Sequence, residues 1–69
     1  MNLRGNIAWI SLERGYGYIS DDASNTYIFH HSNIVPTKGT KMLAVGNLVS
    51  FKVEEGIKSG QALEVKLIG

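Results

Sequence analysis

Apolar and polar residues alternate with a period of two in the second half of the chain, and this pattern most limits what it can fold into. The segments 48–54 and 62–67 both alternate, and no stretch carries the 3.6-residue period of a helix. Because successive side chains of a strand point to opposite faces, each segment predicts a half-buried antiparallel strand. The residues predicted to face inward are Val49, Phe51, Val53, Leu63, Val65 and Leu67.

Glycines and short polar residues divide the rest of the chain into three further predicted strands, 3–10, 15–20 and 27–30. Between the second and third, Asp21–Asn25 is a turn cluster whose short side chains can bond neighbouring backbone. A loop of about a dozen residues, 32–44, precedes the fourth strand. Five short strands at close spacing predict an all-β fold, a small closed barrel without the exposed edges of a flat sheet.

Composition narrows the class of protein further. The 69 residues suit one small domain, and the absence of cysteine rules out disulfides and thiolate zinc sites. We therefore expect a reducing, cytoplasmic location, and with no apolar run near the ~20 residues that span a bilayer, no membrane partner. The formal net charge is only +1, so any affinity for nucleic acid must come from local arrangement and stacking.

The segment Arg14–Ile19 carries two tyrosines separated by glycine. On a strand, Tyr16 and Tyr18 share one face, and Gly15 and Gly17 leave the opposite face open to close approach. Two neighbouring rings are suited to stack on flat nucleobases. The same pattern is compatible with a barrel corner in which both rings are half-buried, so these residues alone leave both interpretations open.

Several segments together resemble the cold-shock domain family, in order and at near-family spacing. They are Gly5–Trp9, Arg14–Ile19, Tyr27–Ile34, Gly46–Phe51 and Gly60–Val65. The four-stranded RNA-recognition module also uses a motif like Arg14–Ile19, but only thirteen residues precede Arg14, too few for its first strand and helix. The resemblance implies a five-stranded antiparallel OB-type Greek-key barrel over residues 1–69 that binds single-stranded RNA or DNA.

The resemblance also implies a stacking surface. Its expected members are Trp9, Tyr16, Tyr18, Ile28, His30 and His31. The family usually has Phe at the positions of Ile10, Ile28 and His31, so we expect a weaker stacking platform than the family norm. Alternation would bury Trp9 together with Ile7, so the first strand must bend or bulge if Trp9 is exposed. Phe29 and Phe51 are expected in the core.

Cations near the rings are candidates for phosphate contacts, although each is also an ordinary surface charge. The candidates are Arg14, Lys58, Lys38 and Lys41, with Arg4 at the flank. We expect no metal at His30 and His31, because adjacent strand residues point to opposite faces and no cysteine or suitably spaced carboxylate completes a site. No serine lies in a recognisable nucleophile motif, so we expect neither an enzyme nor a cofactor or small-molecule substrate.

Two functions remain in competition at this point. The first is a single-strand-binding protein that acts as an RNA chaperone or as a regulator of transcription or translation. The second is an OB-type protein-interaction module with a weakened nucleic-acid face, which the residues Ile10, Ile28 and His31 favour. We expect a monomer, and a strand-swapped dimer is the alternative.

Overall fold

The computed structural model describes residues 2–35, 43–53 and 60–68. Its strands are β1 (Asn2–Ser11), β2 (Tyr16–Ser20), β3 (Thr26–His30), β4 (Leu48–Lys52) and β5 (Leu63–Leu67). A 3-10 turn, His31–Asn33, is the one helical element of the described residues. No described helix has the length and apolar character needed to cross a lipid bilayer. The predicted all-β fold is confirmed, and the strand ends differ from prediction by one or two residues.

The five strands form one antiparallel sheet in the order β3-β2-β1-β4-β5. The long central strand β1 pairs with β4 through its first half and with β2 through its second. Backbone bonds then join the two ends of the sheet: Ala62 donates its N–H to the Ile28 carbonyl at 2.8 Å, and Val35 donates to Val65 at 2.8 Å. These contacts curl the sheet into the expected OB-type barrel, since they pair the groups that open edges would leave unbonded.

A β-bulge interrupts β1 at Ala8. Ile7 pairs with Ile19 of β2, but Trp9 pairs with Tyr18, so one extra residue of β1 lies between successive pairs. The extra residue reverses the alternation. As a result Ile7 is buried in the core, whereas Trp9 is 39% exposed on the outer face. The predicted bend or bulge in the first strand is confirmed.

The core is formed by apolar side chains from all five strands and the segments beside them. Its buried members are Ile7, Ile19, Phe29, Leu43, Val49, Phe51, Ala62 and Val65. The core positions predicted for Phe29 and Phe51 are confirmed. These side chains supply the main stabilising free energy of a chain that has no disulfide.

The inward position predicted for Leu63 is wrong. Glu64 adopts a positive φ of 48°, and the register of β5 on β4 shifts at this point. The shift places both Ala62 and Val65 in the core, while Leu63 is only half-buried. Simple alternation could not reveal this second bulge, because it depends on how β5 pairs with β4.

Gly17 allows β1 and β3 to approach β2 closely. A Cβ atom at this position would lie 2.6 Å from the Trp9 carbonyl oxygen and 2.7 Å from the ring of Phe29. Both distances are far below van der Waals contact. The backbone at Gly17 has no positive φ, so the requirement for glycine here is one of space.

Asp21 organises the β2–β3 turn, as the cluster of short polar residues predicted. Its Oδ1 accepts from the backbone N–H groups of Ala23 and Asn25, at 3.0 and 2.9 Å, and its Oδ2 accepts from the Tyr27 hydroxyl at 3.0 Å. The backbone hydrogen bond from Asn25 is the main cause that lowers the pKa of Asp21. The ionised carboxylate is thus the form that stabilises the turn.

We predict that Gly17→Ala lowers the free energy of unfolding by about 3 kcal/mol, near the upper end of typical overpacking costs, because a backbone oxygen cannot move aside easily. Chemical denaturation measures this change. Gly46→Ala is the control: Gly46 has a φ of 95° and a Cβ added there would have no other atom within 4 Å, so only backbone strain of about 1 kcal/mol applies. Equal costs for the two variants would contradict the close approach.

We also predict that Asp21→Asn makes stability less sensitive to acid. A lowered pKa adds stability above the unfolded-state pKa of about 3.9, and this stability is lost as the pH falls through the folded-state pKa. Thermal unfolding between about pH 5 and pH 2 should therefore decline more steeply for the wild type than for the variant. Asp22→Asn is the control, because Asp22 makes no side-chain hydrogen bond to a described residue; it should keep the wild-type slope.

Candidate nucleic-acid interface

Three aromatic side chains meet on the outer face of β1 and β2. The ring centroids of Trp9 and Tyr16 lie 5.3 Å apart, as do those of Trp9 and Tyr18, and Tyr16 and Tyr18 are 6.0 Å apart. The bulge at Ala8 turns Trp9 to this side, and alternation along β2 places both tyrosines here. Each ring is partly exposed, and none belongs to the core. The barrel therefore presents a contiguous aromatic surface to solvent.

Strand β3 extends this surface. Tyr18 pairs across the strands with Ile28, and Tyr16 pairs with His30, so all four side chains lie on one side of the sheet. Ile28 is 47% exposed, while its neighbour Phe29 points into the core. We call this surface the ring face; its members are Trp9, Tyr16, Tyr18, Ile28, His30 and His31. The structure thus brings together all six residues that were predicted from the sequence to stack on bases.

His31 reaches the ring face by an unexpected route. The sequence interpretation treated it as a strand residue on the face opposite His30, and this was wrong: His31 begins the 3-10 turn, and its ring centroid lies 4.2 Å from that of His30. Its ring also covers Gly15, where a Cβ would lie 2.8 Å from the His31 Cδ2. Gly15 has a φ of 76°, so glycine suits both the backbone and the space.

His30 is held in place by the turn that follows it. The Ser32 backbone N–H donates to His30 Nδ1 at 3.3 Å, and the Ser32 hydroxyl lies 2.9 Å from the same nitrogen. A ring nitrogen that accepts a backbone N–H carries no proton, so the neutral ring has its proton on Nε2. Nε2 is not hydrogen-bonded to any described residue, which leaves it able to donate to a base or phosphate.

The same turn is tied to the segment that closes the barrel. Asn33 Oδ1 accepts from the His30 backbone N–H at 2.9 Å and from Gln61 Nε2 at 3.0 Å. The hydrogen bonds of Asn33 therefore link the end of β3 to the segment just before β5. This link fixes His30 and His31 at the place where the two ends of the sheet meet and the barrel closes.

A small apolar cavity of about 50 Å³ lies at the edge of the ring face. It is lined by Ile10, Ser11, Leu12, Gly15, Tyr16, His31 and Ile34. Leu12 is 63% exposed at its rim, between the predicted strands 3–10 and 15–20, and was not among the site residues predicted from the sequence. An apolar residue inside an otherwise polar turn was the available signal. The cavity can accept an apolar group beside Tyr16.

The flanking cation Arg4 is exposed on β1, and of the four other predicted phosphate contacts only Arg14 falls within the described residues. It is exposed in the turn between β1 and β2, where its backbone N–H donates to the Ser11 hydroxyl at 3.2 Å. Lys38, Lys41 and Lys58 lie outside the described residues. Within the described ranges, no group of three or more histidine, aspartate or glutamate side chains is arranged to hold a metal ion.

Comparison with known proteins relates this geometry to a family. The chain is 35% identical over 69 residues to a cold shock-like protein of Aquifex aeolicus, covering 100% of this chain and 99% of that one. It is 38% identical over 63 residues to the cold shock-like protein CspA of Vibrio cholerae, covering 91% and 90% of the two chains. Among solved structures, Drosophila Unr CSD456 matches with a TM-score of 0.73 at 20% identity, over all of this chain and 27% of that chain.

The structural match at this low identity shows the fold alone, and the family assignment comes from the sequences. The family model of the 'Cold-shock' DNA-binding domain matches residues 3–68, nearly the whole chain. The two bacterial relatives match over almost their full lengths as well. The chain therefore belongs to the cold-shock domain family, whose members bind nucleic acid.

Proposed function

We propose that this protein binds single-stranded nucleic acid by stacking unpaired bases on its ring face. The observation that carries the proposal is the cluster of Trp9, Tyr16 and Tyr18, whose centroids lie 5.3 to 6.0 Å apart on the outside of the barrel. Large aromatic side chains gain stability by burial, and these three remain outside the core. Contiguous exposed apolar surface of this kind marks an interaction site.

The ring face suits unpaired bases and not a duplex. In a double helix the faces of the bases are already stacked, whereas a single strand can splay its bases onto side chains. Stacking on an aromatic ring contributes about 1–3 kcal/mol per base and tolerates any base, because every base has a π face. The tyrosine hydroxyls and His30 Nε2 add hydrogen-bonding groups at the edges of the surface. Binding is therefore expected to have a loose sequence preference.

Binding to single strands is sufficient for RNA-chaperone activity. A protein that binds only the open form of a hairpin shifts the folding equilibrium of the RNA by mass action, without ATP or a chemical step. Effects on transcription or translation follow wherever a hairpin controls them. The cytoplasm, where such RNA is made and read, is the proposed location, and one barrel provides a complete ring face, so we propose that a monomer is active.

The second candidate function is a protein-interaction module. The exposed Ile28 and the apolar cavity beside Leu12 favour it, since both are suited to bind aliphatic side chains as well as bases. An interaction of that kind would not depend on aromatic rings or on salt concentration. The two functions therefore differ in measurable ways.

We predict that a pyrimidine-rich heptanucleotide quenches the fluorescence of Trp9, and that Tyr16→Ala and Tyr18→Ala each weaken binding about 5- to 150-fold. This range corresponds to the loss of one stacked base. Tyr27→Phe is the control, because Tyr27 is directed to Asp21 and Phe51 and not to the ring face. The absence of quenching at low salt would contradict the proposed function and favour the protein-interaction module.

We also predict that Ile28→Phe and His31→Phe tighten binding, each by about fivefold or more, because Ile28→Phe adds a ring and His31→Phe replaces a small polar ring by a larger apolar one, at positions where the family usually has Phe. Affinity for the same heptanucleotide is the measurement. Ile28→Leu is the matched control: it changes the shape of the side chain without adding a ring, and should bind like the wild type. If Leu and Phe at position 28 act alike, stacking at this position is disproved.

A further inference from the structure

A second concave surface lies on the half of the sheet formed by β1, β4 and β5, outside the ring face. It is a groove of about 540 Å³. The polar and charged residues along it, which define the basic groove, are Asn2, Arg4, Ser50, Lys52, Glu64 and Lys66. Neither the family resemblance nor the stacking pattern assigned a function to Ser50, Lys52, Glu64 or Lys66.

Strand register arranges these residues in a row across the groove. Arg4 of β1 pairs with Ser50 of β4, and Ser50 pairs with Lys66 of β5. Because neighbouring strands lie about 4.8 Å apart, the two cations flank the serine hydroxyl with backbones about 10 Å apart. Long, flexible side chains can converge on a group held between them. The row therefore offers two cationic donors and one hydroxyl to a single oxyanion.

Charge in the groove is unbalanced. Lys52 forms an ion pair with Glu64 at 2.9 Å, and no described carboxylate forms an ion pair with Arg4 or Lys66. Three cations and one carboxylate leave two positive charges in the groove, more than the formal net charge of +1 of the whole chain. The positive potential of the described surface is thus concentrated here, where it attracts an anion.

The basic groove is continuous with the ring face along β1. Arg4 and Trp9 are both exposed on the outer side of this strand, with Asn6 between them. Five residues of strand at roughly 3.3 Å each separate them by about 16 Å. A nucleic-acid strand that leaves Trp9 along β1 therefore reaches the groove within a few nucleotides.

We propose that the basic groove binds the phosphate backbone of the single strand whose bases stack on the ring face. Arg4 and Lys66 contact phosphate oxygens, and the Ser50 hydroxyl donates a hydrogen bond between them. This inference rests on the proposed function, because it extends the same bound strand. It predicts that a strand long enough to reach the groove gains an affinity that a short one lacks.

The experiment compares an oligothymidylate of six nucleotides, which can cover only the ring face, with one of about fifteen. Affinity of each is measured by Trp9 fluorescence across a range of salt concentrations, for the wild type and for the double variant Arg4→Gln/Lys66→Gln. Each phosphate contact with a single strand contributes about −0.7 to the slope of log K against log salt. The double variant should therefore reduce the magnitude of the slope by about 1.4 for the long strand and by much less for the short strand.

Variants that remove a negative charge provide a second test of the groove. Glu64→Gln removes the carboxylate from the groove and releases Lys52, so it should tighten binding of the long strand. Asp22→Asn makes the same change in net charge in the β2–β3 turn, and should not distinguish the two lengths. Thermal unfolding of each variant checks that the barrel is intact.

The possible outcomes distinguish the groove proposal from the proposal of stacking on the ring face. If the short strand binds but the long strand gains nothing, or loses nothing in the double variant, the groove proposal is overturned while stacking stands. If neither strand binds the wild type, the proposed function fails as well. If Asp22→Asn tightens the long strand as much as Glu64→Gln does, net charge and not the groove accounts for the effect.

Discussion

The β-bulge at Ala8 is the feature on which the arrangement of this protein depends. Without the extra residue, Trp9 would follow Ile7 into the core, and the outer face of β1 would carry Ala8 in its place. With the extra residue, β1 contributes Ile7 to the core on one side and Trp9, the largest ring of the ring face, on the other. The carbonyl of Trp9 then lies against Gly17, so the bulged strand requires glycine at this position of β2.

This local irregularity also explains how so small a barrel can expose aromatic rings and remain stable. The core is filled by Ile7, Ile19, Phe29 and Phe51, and none of the three clustered rings is needed there. The rings instead contact one another at 5.3 to 6.0 Å, which limits the apolar surface left in water before a ligand arrives. A ligand base then adds contacts to a preformed surface and does not have to order it.

Much of the architecture could be predicted from the sequence because it depends on local alternation. Tyr16 and Tyr18 share a face by the geometry of a strand, and the conflict between Ile7 and Trp9 itself indicated the bulge. The features that escaped prediction depend on contacts between distant segments. The core position of Ala62 follows from the pairing of β5, and the His31 ring meets His30 because a 3-10 turn begins directly after β3.

The basic groove is the feature that could least be predicted from the sequence, because it depends entirely on contacts between distant segments. Arg4, Ser50 and Lys66 are distant in sequence and carry no motif, and only the register of β1, β4 and β5 aligns them. A net charge of +1 suggested weak electrostatic attraction to nucleic acid, because the average hides how the charges are distributed. Local potential acts on a bound strand within about a Debye length, close to ~8 Å at physiological salt, so the two cations beside Ser50 matter more than the total. In this arrangement, stacking on the ring face and positive charge in the basic groove act on successive parts of the same nucleic-acid strand.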